Sequence, residues 1–196
     1  MSIGYLVEPN QAMVWRGPML AGAAAQLFDD VAWGALDYLV VDLPPGTGDI
    51  QLTLAQRFKV TGAVLVTTPQ SVAVADVLRA KAMFDKVRVT TLGVVENMSY
   101  FIAPDTGTRY DIFGSGGGHR VAAEIDVPLL GSIPIEAQVR QCGDAGEPVV
   151  RAYPDSESAK AFVALADEVD TLAESAAKAR SAKEQRRSIL PIVGGG

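Results

Sequence analysis

The sequence predicts an α/β protein whose mostly parallel, doubly wound sheet carries helices on both faces. Two observations predict it. Residues 38–42 (Tyr-Leu-Val-Val-Asp), 62–67 and 91–97 are short runs almost continuous in apolar residues, the composition of strands buried on both sides. Stretches with helical spacing alternate with them, and that order closes into a parallel sheet through right-handed crossovers. The chain has 196 residues, 48% hydrophobic and 20% charged, which suits one packed domain and excludes global disorder.

Taken in order, a helix is predicted near Ala21, after Gly17-Pro18, and the first strand at 38–42. A short helix follows at 49–58, then the second strand at 62–67. Over 71–84, Val74, Val77, Leu78, Lys81 and Met83 fit a helix with one apolar stripe, its other side bearing Asp76 and Arg79 in solvent. The third strand covers 91–97. Residues 99–118 then interrupt the alternation, and a loop this long is either functional or disordered. Tyr100, Phe101, Tyr110 and Phe113 argue for order, so a small hairpin turning at 105–107 is expected. A further strand falls at 128–133. A terminal helix runs from 156 to about 183, capped by Asp155 or Ser156, and the tail at 190–196 is expected to fray. No internal repeat is present.

Charge and cysteine content narrow the function. A net charge of −6 is the wrong sign for a general binder of nucleic acid or anionic membrane. The basic residues Lys183, Arg186 and Arg187 balance the acidic helix before them. No apolar run approaches the ~20 residues of a spanning helix, and the start of the chain lacks the features of a signal peptide. The single cysteine, Cys142, excludes an internal disulfide. These features predict a soluble cytoplasmic protein.

The most informative string is Asp-Leu-Pro-Pro-Gly-Thr-Gly-Asp at 42–49. Asp42 ends a predicted strand, where α/β folds place ligands, and a carboxylate there can hold Mg²⁺ through water. Gly46 and Gly48 flank Thr47 in a loop whose backbone N–H groups can approach a terminal phosphate without Cβ interference. Read without the rest of the string, Asp42 is more simply the cap of the following turn.

With 42–49, the string Val-Trp-Arg-Gly-Pro-Met at 14–19 and Gly-Val-Val-Glu-Asn-Met-Ser-Tyr-Phe at 93–101 resemble the Mrp/ApbC family of iron–sulfur cluster carriers. These are deviant P-loop ATPases related to MinD and ParA. The resemblance continues through 112–118, 131–134 and 143–146. It implies an ATP-binding homodimer that accepts a [4Fe–4S] cluster from a scaffold and passes it to client apoproteins, without nucleic acid or membrane as partner. It also implies that Asp42 is the Walker B aspartate that holds magnesium, that Gly46 lies in the γ-phosphate-sensing loop, and that Asn97 reads the adenine edge. An amide suits that role because it donates and accepts at once. Ile133-Pro134 would form an apolar wall near the base, although a proline also ends strands for structural reasons. Asp76 and Arg79 fall near the family's dimer interface.

Two departures stand against the resemblance. No G-x-x-x-x-G-K-[ST] string and no Gly-Lys pair occur, so the β- and γ-phosphates lack their usual backbone cradle and lysine. Residues 1–185 therefore read as the C-terminal two-thirds of one P-loop ATPase domain, incomplete at its N-terminus, with 186–196 a flexible tail. The glycine run at 114–118 follows a loop and offers no lysine, so it reads as a tight path into the next helix. The second departure is that the family's C-P-x-C pair is here Ala-Pro-Asp-Thr, with Ala103 and Thr106 at the cysteine positions. A bridging cluster takes about four thiolates, and Cys142 supplies one from elsewhere. His119 is a poor ligand beside Arg120. The functional expectation is an iron–sulfur carrier ATPase represented without its phosphate loop. Two other classes stand beside it: a non-enzymatic dimerisation or partner-binding module, and a MinD- or ParA-like positioning ATPase.

Overall fold

A computed structural model describes residues 1–2, 17–43 and 48–189 of the chain. In chain order its elements are α1 (Gly17–Asp29), α2 (Asp49–Arg57), β1 (Ala63–Thr67), α3 (Ser71–Lys86), β2 (Thr91–Glu96), β3 (Phe101–Ile102), β4 (Arg109–Tyr110), α4 (Gly117–Glu124), β5 (Leu129–Ser132), α5 (Ala137–Ala145), α6 (Val149–Ala152) and α7 (Glu157–Ile189). The predicted strands at 62–67, 91–97 and 128–133 and the helices at 49–58, 71–84 and 156–183 all form. The helices α5 and α6 were not foreseen in the sequence.

The sheet has the order β1-β2-β5, with both pairings parallel. Leu65 lies opposite Val94, and Glu96 lies opposite both Thr67 and Ser132, so the three strands finish on one line. Side chains alternate across it. Leu65 and Val94 join Val77, Met83, Phe84 and Val121 in a core beneath α3 and α4. Val95, Leu130 and Ile133 form a second core against Phe162, Leu165, Val169 and Leu172, the helically spaced stripe of α7. Helices thus cover both faces, as predicted.

The caps follow local chemistry. Ser156 Oγ accepts the N–H of Ala159 at 3.1 Å, which makes it the N-cap of α7. Glu136 accepts the N–H of Ser158 at 3.0 Å, placing a carboxylate at the same positive helix end. Helices α1 and α2 pack together: Phe28 and Phe58 stack with centroids 4.2 Å apart, and Arg57 pairs with Asp29 beside them.

One predicted element is corrected. Residues 38–42 form no ladder among the described residues, and Tyr38, Leu39, Val40 and Val41 are exposed, Val40 to 90%. β1 bonds to β2 on one side and to no described strand on the other. The segment has the composition of a strand covered on both faces, but no described strand runs beside it, so its apolar side chains stay in water. What anchors it is the Tyr38 hydroxyl, which donates to the Asp170 carboxylate on α7.

Candidate functional site at the carboxyl ends of the strands

Hydrogen bonding continues past the strand ends and fixes the loops there. Asn97 N–H donates to Thr67 O at 2.8 Å, Ile133 N–H to Glu96 O at 2.8 Å, Ser99 N–H to Ile133 O at 2.9 Å and Ile135 N–H to Tyr100 O at 2.7 Å. Asn97 and Pro134 are thereby held on adjacent lines of the sheet's carboxyl edge, the position at which open α/β sheets bind ligands. The Asn97 amide is oriented by a local contact: its Oδ1 accepts the N–H of Met98 at 2.9 Å. Met98 turns the chain there with φ 53°, a left-handed conformation uncommon outside glycine. The amide keeps its NH₂ group and a second lone pair for other partners. Pro134 is buried and its carbonyl accepts from Ser158 Oγ at 3.4 Å, while Ile133 is spent in the core under α7.

A residue not singled out from the sequence dominates this edge. Glu96 is 2% exposed, and both of its carboxylate oxygens are used. Ser99 Oγ donates to Oε1 at 2.5 Å, and the N–H of Gly118, in the first turn of α4, donates to Oε2 at 2.5 Å. The available signal was an acidic residue ending a strand that is otherwise apolar and buried. The contact also explains the glycine run. Gly116 takes φ 73° as the N-cap of α4. A Cβ on Gly117 would lie 2.6 Å from Pro69 O, and one on Gly118 would lie 2.8 Å from Glu96 Cβ. The run lets α4 settle onto β2 and the turn after β1, and an internal carboxylate already takes up the N–H of Gly118 at this helix end. It is a packing device, as the lack of a lysine and of a preceding strand suggested, and not a substitute phosphate loop.

The excursion at 99–116 is ordered as a hairpin. β3 and β4 pair antiparallel, with Phe101 opposite Tyr110. Ala103 N–H donates to Thr108 O at 2.9 Å, Gly107 N–H donates to Ala103 O at 2.8 Å, and Gly107 turns with φ 67°. The Arg109 guanidinium sits 4.2 Å from the Tyr100 ring centroid and pairs with Asp111 at 3.0 Å. Ala103 and Thr106 therefore lie in the hairpin turn, where Thr106 Oγ1 accepts the N–H of Thr108 at 3.3 Å.

Asp42 is exposed and has no hydrogen bond or ion pair among the described residues. Gly48 is the N-cap of α2, and its backbone carbonyl accepts from Leu52 N–H at 3.3 Å. Gly46, Thr47, Trp15, Arg16 and the tail at 190–196 lie outside the described residues, as do the side chains of Lys183, Arg186 and Arg187. Arg79 pairs with Asp76 at 2.7 Å on the exposed face of α3. His119 is exposed, and Cys142 is buried on α5, at the side of a groove of about 510 Å³ lined by Val139, Pro148, Val149, Phe162 and Val163. Among the described residues no three His, Cys, Asp or Glu side chains cluster to hold a metal ion, and no helix is long and apolar enough to cross a membrane.

Known proteins resemble this arrangement over most of the chain. The family model described as ParA: NUBPL iron-transfer P-loop NTPase matches residues 1–170. The chain is 54% identical over 170 residues to the iron–sulfur cluster carrier protein of Synechocystis sp., covering 86% of this chain and 48% of that protein. It is 50% identical over 169 residues to a mitochondrial iron–sulfur protein of Arabidopsis thaliana required for NADH dehydrogenase, covering 86% and 54%. Among solved structures, a nucleotide-binding protein of Archaeoglobus fulgidus in complex with ADP superposes with a TM-score of 0.63 at 36% identity, over 81% of this chain and 63% of that one. The cell-division ATPase MinD of Pyrococcus furiosus superposes with a TM-score of 0.59 at 25% identity, over 80% and 59%. The chain spans about half the length of the curated relatives it matches.

Proposed function

Since the chain belongs to the ParA/NUBPL family of iron-transfer P-loop NTPases, we propose that it serves the delivery of iron–sulfur clusters to client apoproteins. In this reading it supplies the adenine-facing and magnesium-facing parts of a nucleotide site. The observation that carries the proposal is the family match over 1–170, which extends through the carboxyl edge of β2 and β5 that bears Asn97 and Pro134.

Each residue's proposed work follows from its surroundings. The Asn97 amide, held by Met98 N–H, turns its remaining donor and acceptor toward the edge of an adenine, with Pro134 as an apolar neighbour. Asp42 is a solvent-open carboxylate with no competing cation, which fits Mg²⁺ held through one carboxylate, water and nucleotide phosphate. Magnesium there would screen the phosphate charge. Gly46, Thr47 and Gly48 would approach the terminal phosphate through backbone N–H groups. The chain encodes no Gly-Lys pair, so these residues by themselves do not grip the triphosphate. The acting species is a cytoplasmic homodimer that hydrolyses ATP, its triphosphate grip coming from sequence outside these residues.

The cargo is a [4Fe–4S] cluster, and here the side chains do not fit direct ligation by the hairpin. Ala103 has no donor atom, and the Thr106 hydroxyl is a neutral oxygen in a place that calls for a thiolate. Cys142 is buried away on α5. Handling of the cluster therefore draws on ligands other than this turn.

The test is genetic. Asp42→Ala, introduced into the chromosomal copy, lowers the activity of [4Fe–4S]-dependent enzymes in cell extracts. A partition or division defect with unchanged iron–sulfur enzymes would identify a positioning ATPase instead, and no effect would identify a non-enzymatic module.

A further inference from the structure

The buried carboxylate of Glu96 touches both ends of the 99–116 excursion. Ser99, on its oxygen Oε1, is where the chain leaves β2, and Gly118, on Oε2, is where it enters α4. The same residue's backbone is locked in the sheet, paired with Thr67 and Ser132 and accepting the N–H of Ile133. One side chain rooted in the most buried strand thus ties together two points nineteen positions apart in sequence. Both contacts involve a buried carboxylate, the strong form of hydrogen bond. Leaving either donor without it would strand a buried polar group.

We infer that Glu96 is the positioning residue of this edge, a clasp that holds the feet of the hairpin and with them the adjoining Asn97 amide. Only the role of what the clasp presents rests on the proposed function, since the clasp itself is defined without nucleotide or cluster. Two features of the sequence become necessary on this view. Gly118 is glycine because a Cβ there would press on Glu96 Cβ at 2.8 Å and Leu129 Cδ1 at 3.0 Å. Ser99 is a small hydroxyl residue because it must donate to Oε1 while 3% exposed. The hairpin's own ladder is only two residues per strand, too short to hold its place alone, so its position depends on its ends and on the tie of β3 to the segment after β5, where Ile135 N–H donates to Tyr100 O and Ile135 bridges Phe101.

Amide hydrogen exchange on the 196-residue chain without any ligand tests the clasp. The reporters are the Ala103 and Gly107 amides in the hairpin, bonded to Thr108 O and Ala103 O, and the Val94 amide in β2, bonded to Pro128 O, as internal standard. Glu96→Ala is expected to speed hairpin exchange about tenfold or more while Val94 changes less than about threefold, tenfold being the smaller end of what one charge-assisted hydrogen bond supports. Glu96→Gln is expected to restore slow exchange, because its Oε1 accepts from Gly118 N–H and its NH₂ donates to Ser99 Oγ. Ser99→Ala, which frees one foot, should fall between them, and it carries the test if Glu96→Ala does not fold. Equal acceleration of hairpin and strand in the variants, unchanged hairpin exchange, or failure of glutamine to rescue would each overturn the clasp. None of those outcomes bears on nucleotide binding, and loss of the proposed function would leave the exchange pattern intact.

Discussion

Gly117→Ala tests whether the glycine run at 114–118 exists for packing. A Cβ at this position lies 2.6, 2.7 and 2.8 Å from Pro69 O, Cα and C, all backbone atoms of the turn between β1 and α3. Ordinary carbon contacts need about 3.5 Å, so α4 must retreat by roughly 0.7–0.9 Å or the turn must give way. Retreat also stretches the hydrogen bond from Gly118 N–H to Glu96, now 2.5 Å. Overpacking of this kind costs about 1–3 kcal/mol, and with the strained hydrogen bond the upper end applies. At 2–4 °C per kcal/mol for a chain of this size, 3 kcal/mol lowers Tm by about 6–12 °C. Differential scanning calorimetry measures it, with Gly143→Ala as the control. Gly143 lies in α5 with nothing within 4 Å of the added methyl, so that change should raise stability by up to about 1 kcal/mol. Equal Tm values for Gly117→Ala and the parent would refute the packing account.

Two further outcomes follow from the same geometry. The hydrogen bond from Tyr38 to the Asp170 carboxylate raises the phenol above its ordinary value near 10, with burial and the charges of Asp170, Glu174 and Asp37 acting in the same direction. A folded value raised above the unfolded one means that the contact's contribution is full below about pH 10 and fades as pH rises through the folded value; phenolate absorbance should show a late-titrating component that Tyr38→Phe removes, and simultaneous titration of all tyrosines would contradict it. Anaerobic reconstitution with iron and sulfide should leave no stable [4Fe–4S] cluster, because a dimer of this chain brings two cysteines where four thiolates are usual; about four irons per dimer that Cys142→Ser abolishes would show Cys142 to be a ligand.

What could be read from the sequence was what local pattern determines. The continuous apolar runs at 62–67 and 91–97 are strands because sheet neighbours and helices cover them, and Ser156 caps α7 because its side chain satisfies an otherwise orphaned N–H. The hairpin and its turn at 105–107 followed from aromatic content and Gly107. The run at 38–42 is apolar in the manner of β2 yet forms no ladder among the described residues, since pairing depends on a neighbour that composition does not reveal. Glu96 escaped notice because its importance lies in Gly118, twenty-two residues downstream, and only the folded chain brings them together. Helix α6 gives no periodic signal because it is a single turn of four residues, and α5 offers only Val139 and Cys142 as sizeable apolar residues and carries Gly143 inside it.

Nucleotide titration tests the central claim most directly. If the chain carries the adenine and magnesium sides of a site but no triphosphate grip, isothermal titration of the purified chain with MgATP should show no binding tighter than about 10 µM, equivalent to about −7 kcal/mol, and no phosphate release. Binding below that concentration, weakened by Asp42→Ala or Asn97→Ala, would show that these residues hold a triphosphate without a phosphate loop and would contradict the account.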